Sequence, residues 1–411
     1  MPLGDNITKR GSSRRKFLAV ASTAAAAGIA GCSSGSGGSS GGSSSAPAAS
    51  KPETSAPAPA ASAGLKVGSI TIPSAVVTAA QAEGECLLYG AMDEPDMLDP
   101  IKPGFEEAVP GVTLKPWGGG SSEIAGKLVS EFKANIVSSD VSLYSLSTAR
   151  SVGKTGVYVE YTNEHWLKQT AEELGYAPGY WRTPEAPAYE LPGYGLPYAL
   201  HYNTDIISKG DVPTTYEAWT DPSYTGQNGF VLQNPRQLSS QASLMATLYG
   251  LWGDEAMRTW AKGFMANKPQ FTTGNSGAFN VCLSGEKALC NTYINDLVGQ
   301  VAEGQDLPLQ IQWIDPAMTS VVQNHITAGA PHPNAGEAFA AWFMSELGQE
   351  KVADTGRAPI HAPTIAAHAD FSAFIPKDQV ILPYAYNNPE YNGGNYITDP
   401  GAWLPLFEEI F

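Results

Sequence analysis

ECLLYGAMDEPDMLDPIKPGFEEAVPGVTLKPWGGGSSEIAGKLVSEF, residues 85–132, sets the rhythm of the folded chain. A short apolar run, Cys86–Tyr89, reads as a strand that passes through a loop into a helix near Met97–Ala108. PGVTLKPW (110–117) is a second strand, and Ser121–Lys133 is a helix with Ile124, Leu128 and Phe132 at helical spacing. SDVSLYSL (139–146) is a third strand. Strands alternating with helices over short links predict an α/β architecture with a parallel core. Downstream, GLPYALHYNTDII (195–207) is a strand that leaves the first lobe, and FVLQNP (230–235) precedes helices over Gln241–Leu251 and Asp254–Met265. KALCNTYIND (287–296) is a strand with a polar end, and Ala335–Ser345 and QEKVADTG (349–356) are helical. No internal repeat is visible.

The first 31 residues have another character. SSRRKFLAVASTAAAAGIAGCSS (12–34) opens on Arg14, Arg15 and Lys16 and continues with an apolar run, Phe17–Gly31, of about fifteen residues. That run is short of the ~20 a spanning helix needs and has the length of a signal-peptide core. Ser13–Leu18 looks like a twin-arginine export signal. Ile29-Ala30-Gly31-Cys32 resembles a lipobox, in which small residues admit the peptidase and the Cys32 thiol carries the lipid. Residues 1–31 are therefore expected to be an export signal, and 32–70 a disordered Ser/Gly/Ala/Pro tether with too little apolar surface to offset ordering entropy. Acyl chains contribute ~0.8 kcal/mol per buried CH₂, enough for a multiply acylated cysteine to anchor the chain on the outer face of a cytoplasmic membrane.

Forty acidic against twenty-four basic residues give a net charge of −16, which argues against a nucleic-acid surface. The acids are scattered, as a soluble surface requires. Cys86 lies in an apolar strand; Cys282 and Cys290 stand across a short loop, either bridged or as two buried thiols. No Cys/His spacing resembles a zinc site, and neither a metal nor a cofactor is expected.

Three turns have the composition of an anion site. GGGSSE (118–123) follows a strand and opens a helix, so glycines admit close backbone approach while free N–H groups and the Ser121 and Ser122 hydroxyls point at one spot. An ordinary serine N-cap explains the same residues. TTGNSGA (272–278) offers Thr273, Asn275 and Ser276, and NPRQLSSQ (234–241) offers Arg236, Ser239 and Ser240, the arginine suited to a bidentate phosphate or carboxylate contact. TYIND (292–296) ends a strand, so Tyr293 and Asp296 project where a ligand would lie; Tyr89 and Met92 after the first strand, and Ser145 after the third, hold equivalent positions. Trp117, Tyr198 and Tyr202 are core aromatics or part of a cleft wall.

Taken in order, LLYGAMDE, GFEEAVPGVTLK, GGGSSEIAGKLVSEF, SDVSLY, GLPYALHYNTDII, PTTYEAWTDPSYTGQNGFVLQNP, FTTGNSGAFNVCLSGEKALCNTYIND and AGAPHPNAGEAFAAWFMSELGQEKVADTGRAPI resemble the extracellular solute-binding proteins of ABC importers. The likeness runs from about residue 85 to 365 and is nearest the group that binds ferric ion, sugar phosphates, phosphonates and thiamine. It implies a type II periplasmic-binding fold: two α/β lobes, 71–200 with 318–411 and 201–317, joined by crossovers near 196–204 and 314–322. It also implies an exported protein working with an ABC permease and ATPase, and a monomer is expected. Under this resemblance the three turns and strand ends line the cleft. Ferric-binding members use adjacent tyrosines with a histidine and a glutamate, whereas this chain has a single tyrosine in TYINDL, Met92 or Asp93 in place of the histidine and Ser145 in place of the glutamate.

The resulting expectation is a small polar organic solute, an organic anion carrying phosphate or carboxylate. Ferric ion or a ferric complex is the first alternative and a polyamine-type cation the second. A secreted enzyme on the same scaffold is the alternative of a different class, but no G-x-S-x-G elbow, GK[ST] loop or H-E-x-x-H occurs, and the six histidines show no catalytic spacing. No catalytic residue is assigned.

Overall fold

The computed structural model describes residues 64–91, 98–162, 164–174, 189–237 and 239–360, with short segments at 364, 367–376, 381–383, 405 and 407–411. The export signal, Cys32, Met92 and the tyrosines of 384–404 lie outside the described residues.

The described chain begins with a hairpin, β1 (Leu65–Val67) and β2 (Ile70–Ile72), turned at Gly68, and continues into α1 (Ser74–Glu83). Val67, Ile70 and Ile72 are buried in the core, so the last residues of the stretch 32–70, expected to be tether, belong to the folded body. Next come β3 (Glu85–Gly90), α2 (Leu98–Ala108), β4 (Thr113–Gly118), α3 (Ser121–Lys133), β5 (Val141–Ser145), α4 (Leu146–Gly153) and α5 (Trp166–Glu173). The long strand β6 (Leu191–Asn203) leads to β7 (Phe230–Gln233), α6 (Ser240–Trp252), α7 (Asp254–Ala266), β8 (Gln270–Thr272), α8 (Asn275–Leu283), β9 (Leu289–Tyr293) and α9 (Asn295–Ala302). The chain returns through β10 (Leu309–Gln312), β11 (Ala317–Ile326), α10 (Pro333–Met344), α11 (Glu346–Asp354), β12 (Ala358–Pro359), α12 (Ala369–Phe374) and β13 (Ile381–Pro383).

One sheet runs β4-β3-β5-β11-β6-β9-β7-β8. Its two ends are parallel: β3 pairs parallel with β4 and β5, and β7 parallel with β8 and β9. The two long strands between them run antiparallel to their neighbours in this order, with Met318–Asn324 of β11 opposite Tyr198–Leu191 of β6, while the short β13 adds to β11 in parallel. Each long strand changes partner along its length. β6 pairs with β11 up to Tyr198 and with β9 from Tyr198 to Tyr202, while β11 pairs with β5 from Val322 to Ile326. The switch points are Tyr198 in β6 and Val322 in β11. The parallel core is thus two parallel halves rather than one, and the carboxyl ends of β5 (Ser145, opposite Val322) and β9 (Tyr293, opposite Tyr198) both meet the central pair.

Each half carries its own aromatic core. In the first, Phe105 of α2 meets Phe339 of α10 at 5.2 Å and Trp342 at 5.6 Å between ring centroids. In the second, Trp219 packs 4.8 Å from Phe230, and Trp260 stacks 5.1 Å from Phe264. The C-terminal residues, expected with the first lobe, pack on the second half: Phe407 and Phe411 join the Trp260 cluster, and the Phe374 carbonyl accepts from Trp313 Nε1 at 3.0 Å. The physical cause is the apolar face of α7, which buries Met257, Trp260, Ala261 and Phe264 and needs a cover. Cys282 and Cys290 are two buried free thiols, unbridged. Among the described residues no helix is long and apolar enough to cross a membrane.

Candidate functional site

A cavity of about 290 Å³ opens where the carboxyl ends of the two parallel halves meet. From the first half it takes Gly120, Ser121 and Ser122 of the β4–α3 link, Ser145 at the end of β5 and Thr148 of α4. From the second come Gln233 at the end of β7, Ser239, Ser240 and Ser243 of α6, Asn275 of α8 and Tyr293 at the end of β9. Ser320 of β11 completes the wall between them. Nine hydroxyls and two amides thus face one space, and none of these lining residues carries a charge. A larger concavity of about 400 Å³, from Ile206 to Asn228, is lined by the second half alone and receives no strand end of the sheet.

Local sequence explains the convergence. β4 ends at Gly118, and α3 begins at Ser121 with Gly120 as an N-cap that has no side chain to satisfy the first-turn N–H groups. The Ser145 N–H donates to Ser121 Oγ at 3.3 Å, joining the starts of α3 and α4, and Ser145 Oγ donates to Thr148 Oγ1 at 2.8 Å. On the opposite wall Ser239 caps α6: its Oγ accepts from the Ala242 N–H and donates to the Asn234 carbonyl, both at 3.1 Å. Ser243 Oγ donates to the Ser239 carbonyl at 3.3 Å. Helix α8 starts after Gly274, again without a side-chain cap. Four helix N-termini, each worth roughly half a positive charge, therefore face an uncharged, hydroxyl-rich space, the electrostatics of an anion site. Burial pushes the Tyr293 phenol up, and hydrogen bonding with Ser240 and Ser320 pulls it part of the way back. It remains a neutral donor.

Of the residues singled out from the sequence, Ser121, Ser122, Ser145, Ser239 and Tyr293 line the cavity together. Tyr89, Arg236, Thr273, Ser276 and Asp296 do not. Tyr89 is a core residue whose hydroxyl donates to the Glu131 carboxylate of α3 at 3.1 and 3.2 Å, with Lys127 over its ring. Arg236 is exposed on a turn closed by its own N–H donating to Asn234 Oδ1 at 2.9 Å. Thr273 and Ser276 point to solvent on either side of Asn275, and Asp296 accepts from Asn295 Nδ2 at 2.9 Å in the first turn of α9. Trp117 packs 5.0 Å from Tyr89; Tyr202 is buried and bonded to Gln310. Thr148, Gln233, Ser243 and Ser320 are lining residues that the sequence reading missed. Thr148 and Ser243 lie one turn after Ser145 and Ser239, the residues before α4 and α6, a spacing that could have revealed them; Ser320, inside a strand, carries no such mark. Among the described residues no three His, Cys, Asp or Glu side chains gather to hold a metal ion.

The sequence profile described as "Bacterial extracellular solute-binding protein" matches residues 103–379, more than half of the chain. The chain belongs to the bacterial extracellular solute-binding proteins. It is a solute-binding protein of the ABC-importer type with the two-lobe type II periplasmic-binding fold. Iron uptake protein A1 of Synechocystis is 26% identical over 195 residues, which span 47% of this chain and 46% of that protein, less than half of the relative's length. Iron-bound HitA from Pseudomonas aeruginosa superposes with TM-score 0.58 at 19% identity, over 67% of this chain and 86% of that one. AfuA from Actinobacillus pleuropneumoniae, solved with fructose-6-phosphate, superposes with TM-score 0.60 at 17% identity, over 79% of this chain and 99% of that one. At these identities the two structures speak for the fold. As an extracellular solute-binding protein the chain works outside the cytoplasm.

Proposed function

We propose that this solute-binding protein captures a small organic anion, bearing phosphate or carboxylate, in the hydroxyl-lined cavity and presents it to an ABC permease. One observation carries the reading: nine hydroxyls and two amides, without a charged side chain, set among four helix N-termini. Ser121, Ser122 and Ser145 act from one lobe, and Ser239 and Tyr293 from the other, with Thr148, Ser240, Ser243 and Asn275 beside them. Lobe 1 is residues 71–200 with the return from 318, and lobe 2 is 201–317 with the C-terminal residues folded over it. Closure bends the two long strands near Tyr198 and Val322, where they exchange partners, so that donors from both lobes reach one solute. The body is a monomer, held at the membrane by lipid on Cys32 and lifted from it by the Ser/Gly-rich tether. A Cys32→Ser protein recovered from the medium rather than the membrane fraction supports the anchor; one that stays with the membrane refutes it.

The iron relatives favour a second reading, a ferric complex with an organic acid. Such a complex offers carboxylates to the same donors. Bare Fe³⁺ asks for several anionic oxygens, and the lining supplies one protonated phenol.

A thermal-shift panel of sugar phosphates, phosphonates, citrate, ferric citrate, ferric chloride and spermidine tests both readings. A ligand at a hundred times its Kd stabilises by ~2.7 kcal/mol, well within reach of the assay. Stabilisation by phosphorylated or carboxylated solutes supports the anion, and stabilisation by ferric citrate but not citrate supports the complex. A response to ferric chloride or spermidine alone refutes both.

A further inference from the structure

Behind the cavity wall runs a chain of hydrogen bonds with one direction. The Tyr198 hydroxyl donates to Asn275 Oδ1 at 2.7 Å, Asn275 Nδ2 donates to Ser240 Oγ at 2.9 Å, and Ser240 Oγ donates to Gln233 Oε1 at 2.9 Å. Gln233 Nε2 closes the chain on the Thr273 carbonyl at 3.3 Å. An amide nitrogen only donates and an amide oxygen only accepts, so the order is set from both ends. The Thr273 carbonyl needs the Gln233 nitrogen, which leaves the Gln233 oxygen to take the Ser240 proton. With its one proton on Gln233, Ser240 only accepts, from Asn275 Nδ2 and from the Tyr198 hydroxyl 2.6 Å away; the single Tyr198 proton is thus placed between Ser240 Oγ and Asn275 Oδ1, and for the Asn275 oxygen Tyr198 is the donor. Asn275, Ser240 and Gln233 line the cavity; Tyr198 does not, and is 2% exposed on the long strand β6 with its ring edge-on to Tyr293 at 4.6 Å.

Asn275 has two amide N–H groups, and the chain uses one. The other belongs to a residue of the cavity wall. We infer that Tyr198 is a positioning residue for solute binding: by holding the Asn275 oxygen it keeps the second N–H of Asn275 for an anionic solute. This rests on the anion reading above. Without the Tyr198 proton the Asn275 oxygen has no donor, and the amide turns over or swings to find one, bringing a lone pair to the wall where the anion would lie.

The test is a double-mutant cycle with Tyr198→Phe and Asn275→Ala, titrated calorimetrically with citrate, glycerol 3-phosphate and inorganic phosphate. Phenylalanine keeps the ring and its contact with Tyr293, so the unliganded protein should still fold, melting somewhat lower for the hydrogen bonds lost. Tyr198→Phe is expected to weaken the tightest-binding of the three anions about ten-fold, the worth of one hydrogen bond near 1.4 kcal/mol. The same change made on Asn275→Ala should weaken it no further, because Tyr198 acts through Asn275. Unchanged affinity in Tyr198→Phe, or an equal loss with Asn275 already truncated, overturns the assignment while leaving the anion reading intact. Asn275→Asp keeps the acceptor for Tyr198 and removes the N–H; anion binding that survives in this variant overturns the assignment whatever the folding of Tyr198→Phe. Wild-type protein that binds none of the three anions refutes the anion reading and the role of Tyr198 with it.

Discussion

Arg150→Met should be among the most damaging single changes away from the cavity. Arg150 lies in the last turn of α4, the helix whose first turn lines the site, and its guanidinium grips Glu190 with Nε to Oε1 at 2.6 Å and Nη2 to Oε2 at 3.0 Å. Glu190 immediately precedes β6, and Gln323 of β11 donates to its Oε2 at 3.4 Å, so one buried carboxylate ties α4 to both long strands. The two side chains are 11% and 0% exposed. Methionine fills much of the arginine's volume but leaves a fully buried carboxylate with its guanidinium gone. Breaking a buried pair from one side costs about 3–5 kcal/mol. Taking the roughly 300 described residues at ~2.1 cal/mol/K each, the melting temperature should fall by about 5–8 °C. Arg150→Met combined with Glu190→Gln removes both charges and should recover most of that loss, since a neutral buried pair carries no desolvated charge. Thermal melts of the three variants by circular dichroism decide the matter. A single mutant within a degree of wild type, or a double mutant that falls further than the single, would refute the reasoning.

Acid should destabilise the body before any surface carboxylate matters. Burial holds His201 down to about 4 and His325 to about 3, against 6.5 for an ordinary imidazole. The unfolded chain binds these protons first, so the stability they contribute is complete above pH 6.5 and is lost as pH falls toward 4 and then 3, by about 1.4 kcal/mol per unit and per histidine. Melts from pH 7.5 to 4.5 should show the fall, and His325→Gln should flatten it; an unchanged slope contradicts it. Gly193→Ala should part the long strands, because a Cβ there would sit 2.2 Å from the Val322 carbonyl oxygen and 3.0 Å from Gln323 Cα. A loss of about 1–3 kcal/mol is expected in denaturant melts, and a neutral substitution would show that β6 and β11 are looser than described. Ser239→Ala removes the cap of α6 and should cost about 1 kcal/mol, Ser239→Gly only a few tenths; equal losses would mean that the hydroxyl is not capping.

Much of the architecture was legible because burial and periodicity agree in it. Cys86–Tyr89, Ser121–Lys133 and Asp254–Met265 show strand or helical spacing, and the observed β3, α3 and α7 differ from them by one residue or none at each end. Hairpin β1–β2 was hidden by its neighbours: LKVGSITI is short, sits against a Ser/Ala/Pro-rich stretch, and gains its burial only from the core it packs on. The cavity was half legible. A serine at a strand end before a helix announces itself, which is why Ser121, Ser145 and Ser239 could be read; whether its neighbour faces the site depends on helix phase, and so Asn275 enters where Thr273 and Ser276 do not. Tyr89 misled because a strand-end tyrosine looks alike whether it faces a cleft or, as here, Glu131. Tyr198 reads from the sequence as a core or cleft-wall aromatic, but its hydrogen-bond partners do not, since they come from positions 240 and 275 and meet only in the folded chain.

The central claim is that two halves of the body shut on one solute. Small-angle scattering of the purified protein, with and without whichever anion of the panel raises its melting temperature most, measures this directly. A smaller radius of gyration on binding, reversed when the anion is dialysed away, is the predicted result. An unchanged radius alongside clear stabilisation would mean that the solute binds without closure, and would contradict the account.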